Sequence, residues 1–153
     1  MEKESAGDEE IERLQSIPGV GPKVSFAFVA HVAAERFENA GQVSNYLGLV
    51  PRVYMSGETV RYGHITKRGN GYVRALLVQA ALVWSKQDEK LKERYNYMTQ
   101  EKSKSKKTAI VAVAWRLAEE MYTLLRYGTK HERKPFEPGK KAKELAELAI
   151  ISA

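Results

Sequence analysis

Asn70-Gly71-Tyr72-Val73-Arg74-Ala75-Leu76-Leu77-Val78-Gln79-Ala80-Ala81-Leu82-Val83-Trp84 decides the fold class. Val73, Leu76, Leu77, Ala80, Ala81 and Trp84 recur at steps of three and four, which places them in one stripe down an α-helix. Asn70 stands where that helix needs a cap, because its side-chain oxygen can accept from the first free backbone amides. Such a helix buries its stripe only against others like it. Thr108 to Tyr127 supplies one, with Ile110, Val113, Ala114, Leu117, Met121, Leu124 and Leu125 at the same spacing and Gly128 as a stop. The expected fold is therefore mainly α, a helical bundle.

Working outward toward the N-terminus, Leu49 to Ile65 breaks the helical pattern. Val53 and Met55, then Val60 and Tyr62, alternate around Ser56-Gly57-Glu58-Thr59, as expected of a short β-hairpin or extended loop between about residues 51 and 65. Ala40 to Leu47 reads as a short helix ending near Gly48. Glu9 to Ile17 reads as another, with Ile11, Leu14 and Ile17 on one face. Val24 to Ala34 is nearly all apolar, so that helix is expected to be buried on most sides. On the C-terminal side, Glu89 to Gln100 predicts a basic helix with Leu91, Tyr95 and Met98 inward. The lysine-rich run 101–107 predicts a polar connection. Thr129 to Lys141 carries Pro135, Pro138 and Gly139 and reads as an arm, followed by a short helix from Lys140 to Ser152.

The domain reading is an acidic, flexible leader over 1–10, one helical domain over 11–128, and the arm with its helix over 129–153. The chain has 153 residues and no cysteine, which suits one core and excludes a disulfide framework and cysteine chemistry. Its acidic start lacks the form of a signal peptide, and no apolar run approaches the ~18 residues that span a bilayer. A cytoplasmic protein with no membrane partner is expected. Residues 1–10 carry a net charge of −4, and residues 11–153 carry +10 against a total of +6. A basic body points to a polyanion, most often nucleic acid.

Two stretches give that charge a shape. In Leu14-x-x-Ile17-Pro18-Gly19-Val20-Gly21-Pro22-Lys23, two glycines and a proline make a tight turn between helices. The free amides at the start of the second helix form an anion site beside Lys23. The stretch resembles the helix-hairpin-helix motif, which grips duplex backbone without reading bases. That resemblance assigns Gly19, Val20, Gly21 and Lys23 to DNA contact. The second stretch holds Arg52, Arg61, Lys67, Arg68 and Arg74 against one acid, Glu58, with Ser56 in its middle. A serine hydroxyl among arginines suits attack on a phosphodiester, whose developing charge fixed cations stabilise. The same residues suit a plain turn with passive DNA-binding arginines, and the residues alone leave both readings open. A Ser–His hydrolase is disfavoured, because the Gly-x-Ser-x-Gly elbow is absent and only His64 lies nearby. Metal catalysis within the chain lacks convergent carboxylates.

The order of motifs adds a resemblance. After the hairpin come Phe37, Tyr46-Leu47-Gly48-Leu49-Val50-Pro51-Arg52, Ser56-Gly57, Arg61-Tyr62-Gly63-His64-Ile65-Thr66-Lys67-Arg68-Gly69-Asn70 and the Val73–Ala81 helix. Lys107-Thr108-Ala109-Ile110-Val111-Ala112-Val113-Ala114-Trp115-Arg116 completes the series. Over residues 11–131 this series resembles the C-terminal domain of DEDD-type insertion-sequence transposases, also described as bridge-RNA-guided recombinases. The resemblance implies that Ser56 is the catalytic nucleophile and that Arg52, Arg61, Lys67, Arg68, Asn70 and Arg74 contact DNA. It also implies an upstream RuvC-like domain carrying Mg²⁺, a guide RNA as a further partner, and a homo-oligomer. No cofactor is expected on this chain itself. Thr66 stands where that family commonly has serine. A DNA-binding module without chemistry is the alternative reading.

Overall fold

A computed structural model of the chain describes residues 2–101 and 105–132, without the side chains of residues 2–6, 51, 53, 61 and 62. The lysines at 102 and 104, most of the arm and the helix expected over 140–152 lie outside the described residues. The described architecture is mainly helical, with one small antiparallel sheet. In chain order it runs α1 (Glu2–Gln15), α2 (Pro22–His31), a 3₁₀ turn (Ala34–Arg36), α3 (Ala40–Tyr46), β1 (Pro51–Ser56), β2 (Thr59–Ile65), α4 (Gly71–Gln87), α5 (Glu89–Asn96), a π-helical turn (Tyr97–Glu101) and α6 (Lys106–Tyr127).

Helices α4 and α6 are the spine, packed side by side along their stripes. Every residue of the predicted α4 stripe is buried, and α6 buries its own except half-buried Leu125, together with Ala109, Ala118 and Tyr122. Each fully buried leucine, such as Leu77 or Leu117, contributes about 2 kcal/mol by removal from water. Asn70 does cap α4, its Oδ1 accepting from Tyr72 N at 2.9 Å and Val73 N at 3.3 Å. Ser105 caps α6 by accepting from Thr108 N at 3.1 Å, so the helix begins at Lys106, two residues before the predicted start. Asp88 joins two helices at once. It ends α4 in an extended conformation, and its Oδ1 accepts from Leu91 N at 3.1 Å to open α5.

Four differences from the sequence reading have physical causes. Helix α1 starts at Glu2 rather than Glu9, so the acidic leader continues as helix. Helix α2 is amphipathic rather than buried on most sides. It buries Ser25, Ala27 and Phe28, while Phe26 is 66% exposed and His31 is exposed. An all-apolar run carries no period, so it does not reveal which face is wet. The basic helix ends at Asn96 and widens into a π turn, where Thr99 Oγ1 donates to Tyr95 O at 3.0 Å. Finally, the start of the arm folds back on the body. His131 N donates to Ser16 Oγ at 2.8 Å, and the imidazole lies 5.7 Å from the Trp84 ring, edge to face.

Candidate functional site

Among the described residues, strands β1 and β2 form a ribbon that pairs only with itself, and its backbone makes no close approach to a helix. Gly63, His64 and Ile65 at its root share a cavity with α6. Ser56 is the last residue of β1, set opposite Thr59 across the two-residue turn Gly57-Glu58, and it is exposed. The next pair inward is Met55 opposite Val60, 74% and 47% exposed. The tip thus carries a hydroxyl pair and an apolar pair, both open to solvent. Among the described residues Ser56 Oγ has no hydrogen-bond partner. Arg52 is exposed on the root end of β1, and the backbone of Arg61 faces Tyr54, while the Arg61 side chain lies outside what is described.

The ribbon's root is where two backbones cross. Gly48 and Gly69 both have positive φ, 71° and 78°. A side chain at 48 would collide with the backbone of Lys67 and Arg68, and one at 69 with the carbonyl of Tyr46. The end of α3 therefore presses directly on the 66–69 segment, which only glycine permits. Hydrogen bonds seal the crossing: Lys67 N donates to Gly48 O at 3.2 Å and Thr66 N to Val50 O at 3.0 Å. Arg74 locks it from below. Its Nη1 donates to Leu47 O and to Arg68 O, both at 3.0 Å. Arg74 is thus engaged with the protein's own backbone, and Asn70 Oδ1 with its helix cap. Lys67 and Arg68 remain exposed, and Lys67 holds a φ of 53°, unique among the described non-glycine residues.

The turn between α1 and α2 splits its predicted set. Val20 is buried, so only its backbone can meet a ligand. Gly19 faces inward: a Cβ there would sit 2.8 Å from Ala80 O and 2.9 Å from Val83 Cβ. Gly21 has open space around it, and no side chain caps α2. Lys23 is exposed, with Nζ 5.9 Å from the centroid of the Tyr72 ring at the start of α4. That contact brings the turn beside the helix that leaves the crossing. The uncapped start of α2 with Lys23 and the segment carrying Lys67, Arg68 and Tyr72 are therefore neighbours.

The structure keeps Ser56 apart from these groups. From Thr59 to Ile65, at about 3.3 Å per residue, the ribbon holds its tip roughly 20 Å from its root. Lys67, Arg68 and Arg74 sit at the root, so the described cations do not ring the serine. The histidines do not pair with it either. His31 Nδ1 lies 2.9 Å from Ala27 O, and His64 sits near the root on β2. His131 is buried, with Nδ1 3.1 Å from Glu120 Oε1 and Nε2 3.9 Å from Asp88 Oδ2. The docking of His131 has no local sequence signal; its partners come from the end of α1, from α4 and its joint with α5, and from α6.

No helix among the described residues is long and apolar enough to cross a membrane. Residues 11–96 match the family described as Transposase IS116/IS110/IS902. The chain is 41% identical over 76 residues to a probable family 20 transposase of Pseudomonas aeruginosa, covering 49% of this chain and 22% of that one. It is 40% identical over 75 residues to the transposase of insertion sequence element IS1111A from Coxiella burnetii, covering 48% and 21%. A longer match, 27% identical over 126 residues, covers 81% of this chain and 38% of the pilin gene-inverting protein of Moraxella bovis. The matched part spans about a fifth of the first two relatives. The matched segment runs from α1 through the ribbon to the end of α5, and on that ground the chain belongs to the IS116/IS110/IS902 family of transposases.

Proposed function

We propose that this chain is the serine-bearing, DNA-gripping domain of a transposase, working with an upstream RuvC-like domain that carries Mg²⁺. The observation that carries the reading is Ser56, exposed at the tip of a ribbon whose backbone, among the described residues, stands clear of the helices. A two-stranded ribbon fits the major groove of a duplex, and a tip reaching ~20 Å from the body can enter it while cations hold the backbone. The grip comes from a helix-hairpin-helix: the uncapped amides of α2, open Gly21, and Lys23, with Arg52, Lys67 and Arg68 beside them. Asn70 and Arg74 take part by fixing the root, and Arg61 by its place on β2. In the reaction, Ser56 Oγ forms a bond to phosphorus as the bond to one strand breaks, and that strand leaves with a hydroxyl end. The phosphoserine conserves the energy of the broken bond for rejoining.

Among the described residues no three His, Asp or Glu side chains cluster so as to hold a metal ion. No step is therefore routed through a metal on this chain. Guide RNA, a second protomer and a cytoplasmic setting belong to the same reading, as properties of the whole transposase.

The test is covalent trapping. The domain is joined to its upstream domain, given Mg²⁺ and junction DNA, and resolved under denaturing conditions. A protein–DNA adduct is expected, and Ser56→Ala should abolish it while leaving duplex affinity unchanged. An equal adduct from Ser56→Ala overturns the nucleophile. The separation of Ser56 from the described cations favours a second reading, a backbone-binding module without chemistry. On that reading wild type gives no adduct, yet Lys23→Ala with Gly21→Glu still weakens salt-sensitive binding.

A further inference from the structure

Where the ribbon's root faces the first half of α6, the structure leaves a cavity of about 390 Å³. Buried Leu49 and half-buried Val111, Ala112 and Trp115 line it, and exposed Lys67 and Lys107 stand at its edge. The Trp115 ring is held in place by its Nε1, which donates to Glu119 Oε1 at 2.9 Å. Among the described residues neither lysine is in an ion pair. Thr66, between two residues that line the cavity, has a buried hydroxyl with no hydrogen-bond partner among the described residues.

A close-packed core would fill such a space, so apolar walls left open beside two uncompensated cations mark a recognition site. The ligand must present a flat apolar body to an indole and an anion to each lysine. We infer that the cavity receives one unpaired nucleotide of a DNA strand, its base stacked on Trp115 and its flanking phosphates on Lys67 and Lys107. Base stacking on an aromatic ring with cations tracking the backbone is how unpaired strands are held. Val111 and Ala112 close the far side of the base. The choice of DNA rests on the reading proposed above, because the cavity shares β2 with the ribbon that carries Ser56. A strand followed from that tip to the root arrives at the cavity.

The 153-residue chain is titrated with two DNA duplexes, one fully paired and one with a single bulged 2-aminopurine. Binding of the paired duplex tests the proposed function, and the preference for the bulge tests this inference. The bulged duplex should bind about tenfold more tightly, with quenching of Trp115 emission. Ala112→Leu, which fills the cavity, should remove the preference and leave paired-duplex affinity unchanged. Lys107→Gln, an exposed change that cannot disturb the core, should reduce the preference and serves if Ala112→Leu fails to fold. Equal binding of the two duplexes overturns the inference, as does a preference that survives both substitutions. Tighter binding of the same bulge in an RNA duplex overturns the assignment to DNA.

Discussion

Gly19 and Gly21 look alike in sequence, yet the fold uses them for opposite purposes. Gly19, at φ 90° and hard against the backbone of Ala80, is a packing glycine. Gly21 is open. Gly19→Ala is expected to cost about 2–3 kcal/mol through strain and overpacking, and Gly21→Ala under ~1 kcal/mol. Urea unfolding of the two variants decides it. Arg74→Met should destabilise by about 1–3 kcal/mol, because the carbonyls of Leu47 and Arg68 lose their donor. Arg52→Ala, at an exposed site, should stay within ~0.5 kcal/mol. Lys67→Gly relieves a left-handed backbone and should raise stability by up to about 1 kcal/mol while weakening DNA binding. Unchanged DNA affinity in Lys67→Gly would remove Lys67 from the interface. Sequence named these residues by type and charge, and the Asn70 cap was legible because its partners are two and three positions away. The engagement of Arg74 with Leu47 O, 27 positions distant, has no local signature.

At the scale of elements, what was legible followed from periodicity. The α4 and α6 stripes show in the sequence because one wet face alternates with one dry face, and both are buried as read apart from half-buried Leu125 at the end of α6. Leu77→Ala, at the centre of that contact, should cost about 3–5 kcal/mol in chemical denaturation. The α2 run hid its wet face, and Asp88 hid the joint between α4 and α5, because one residue there serves two helices. The ribbon was legible from alternation and its turn, but not its independence from the helices. Replacing residues 53–62 with Asn-Gly should leave the helical unfolding midpoint nearly unchanged, within ~0.5 kcal/mol. A large loss of helical signal at 222 nm would show that the ribbon supports the body after all.

For the whole molecule, the charge reading becomes a measurable slope. Duplex affinity should fall linearly with log salt, and Lys23→Ala and Arg52→Ala should each reduce that slope by about one. Net charge and motif order point to a polyanionic partner and name a candidate site along the chain. They could not tell that the serine and the described cations sit at opposite ends of the ribbon, because distance along a strand is set by pairing rather than by composition.

The crossing at Gly48 and Gly69 carries a consequence beyond holding the ribbon's base. It brings residues 50 and 66 within hydrogen-bonding distance, so the body meets the intervening loop as two adjacent ends. Lengthening a loop closed in this way adds only about 0.6 kcal/mol per doubling of its length. The ribbon is then an interchangeable cassette. Its length and sequence can change at little cost to the helical body.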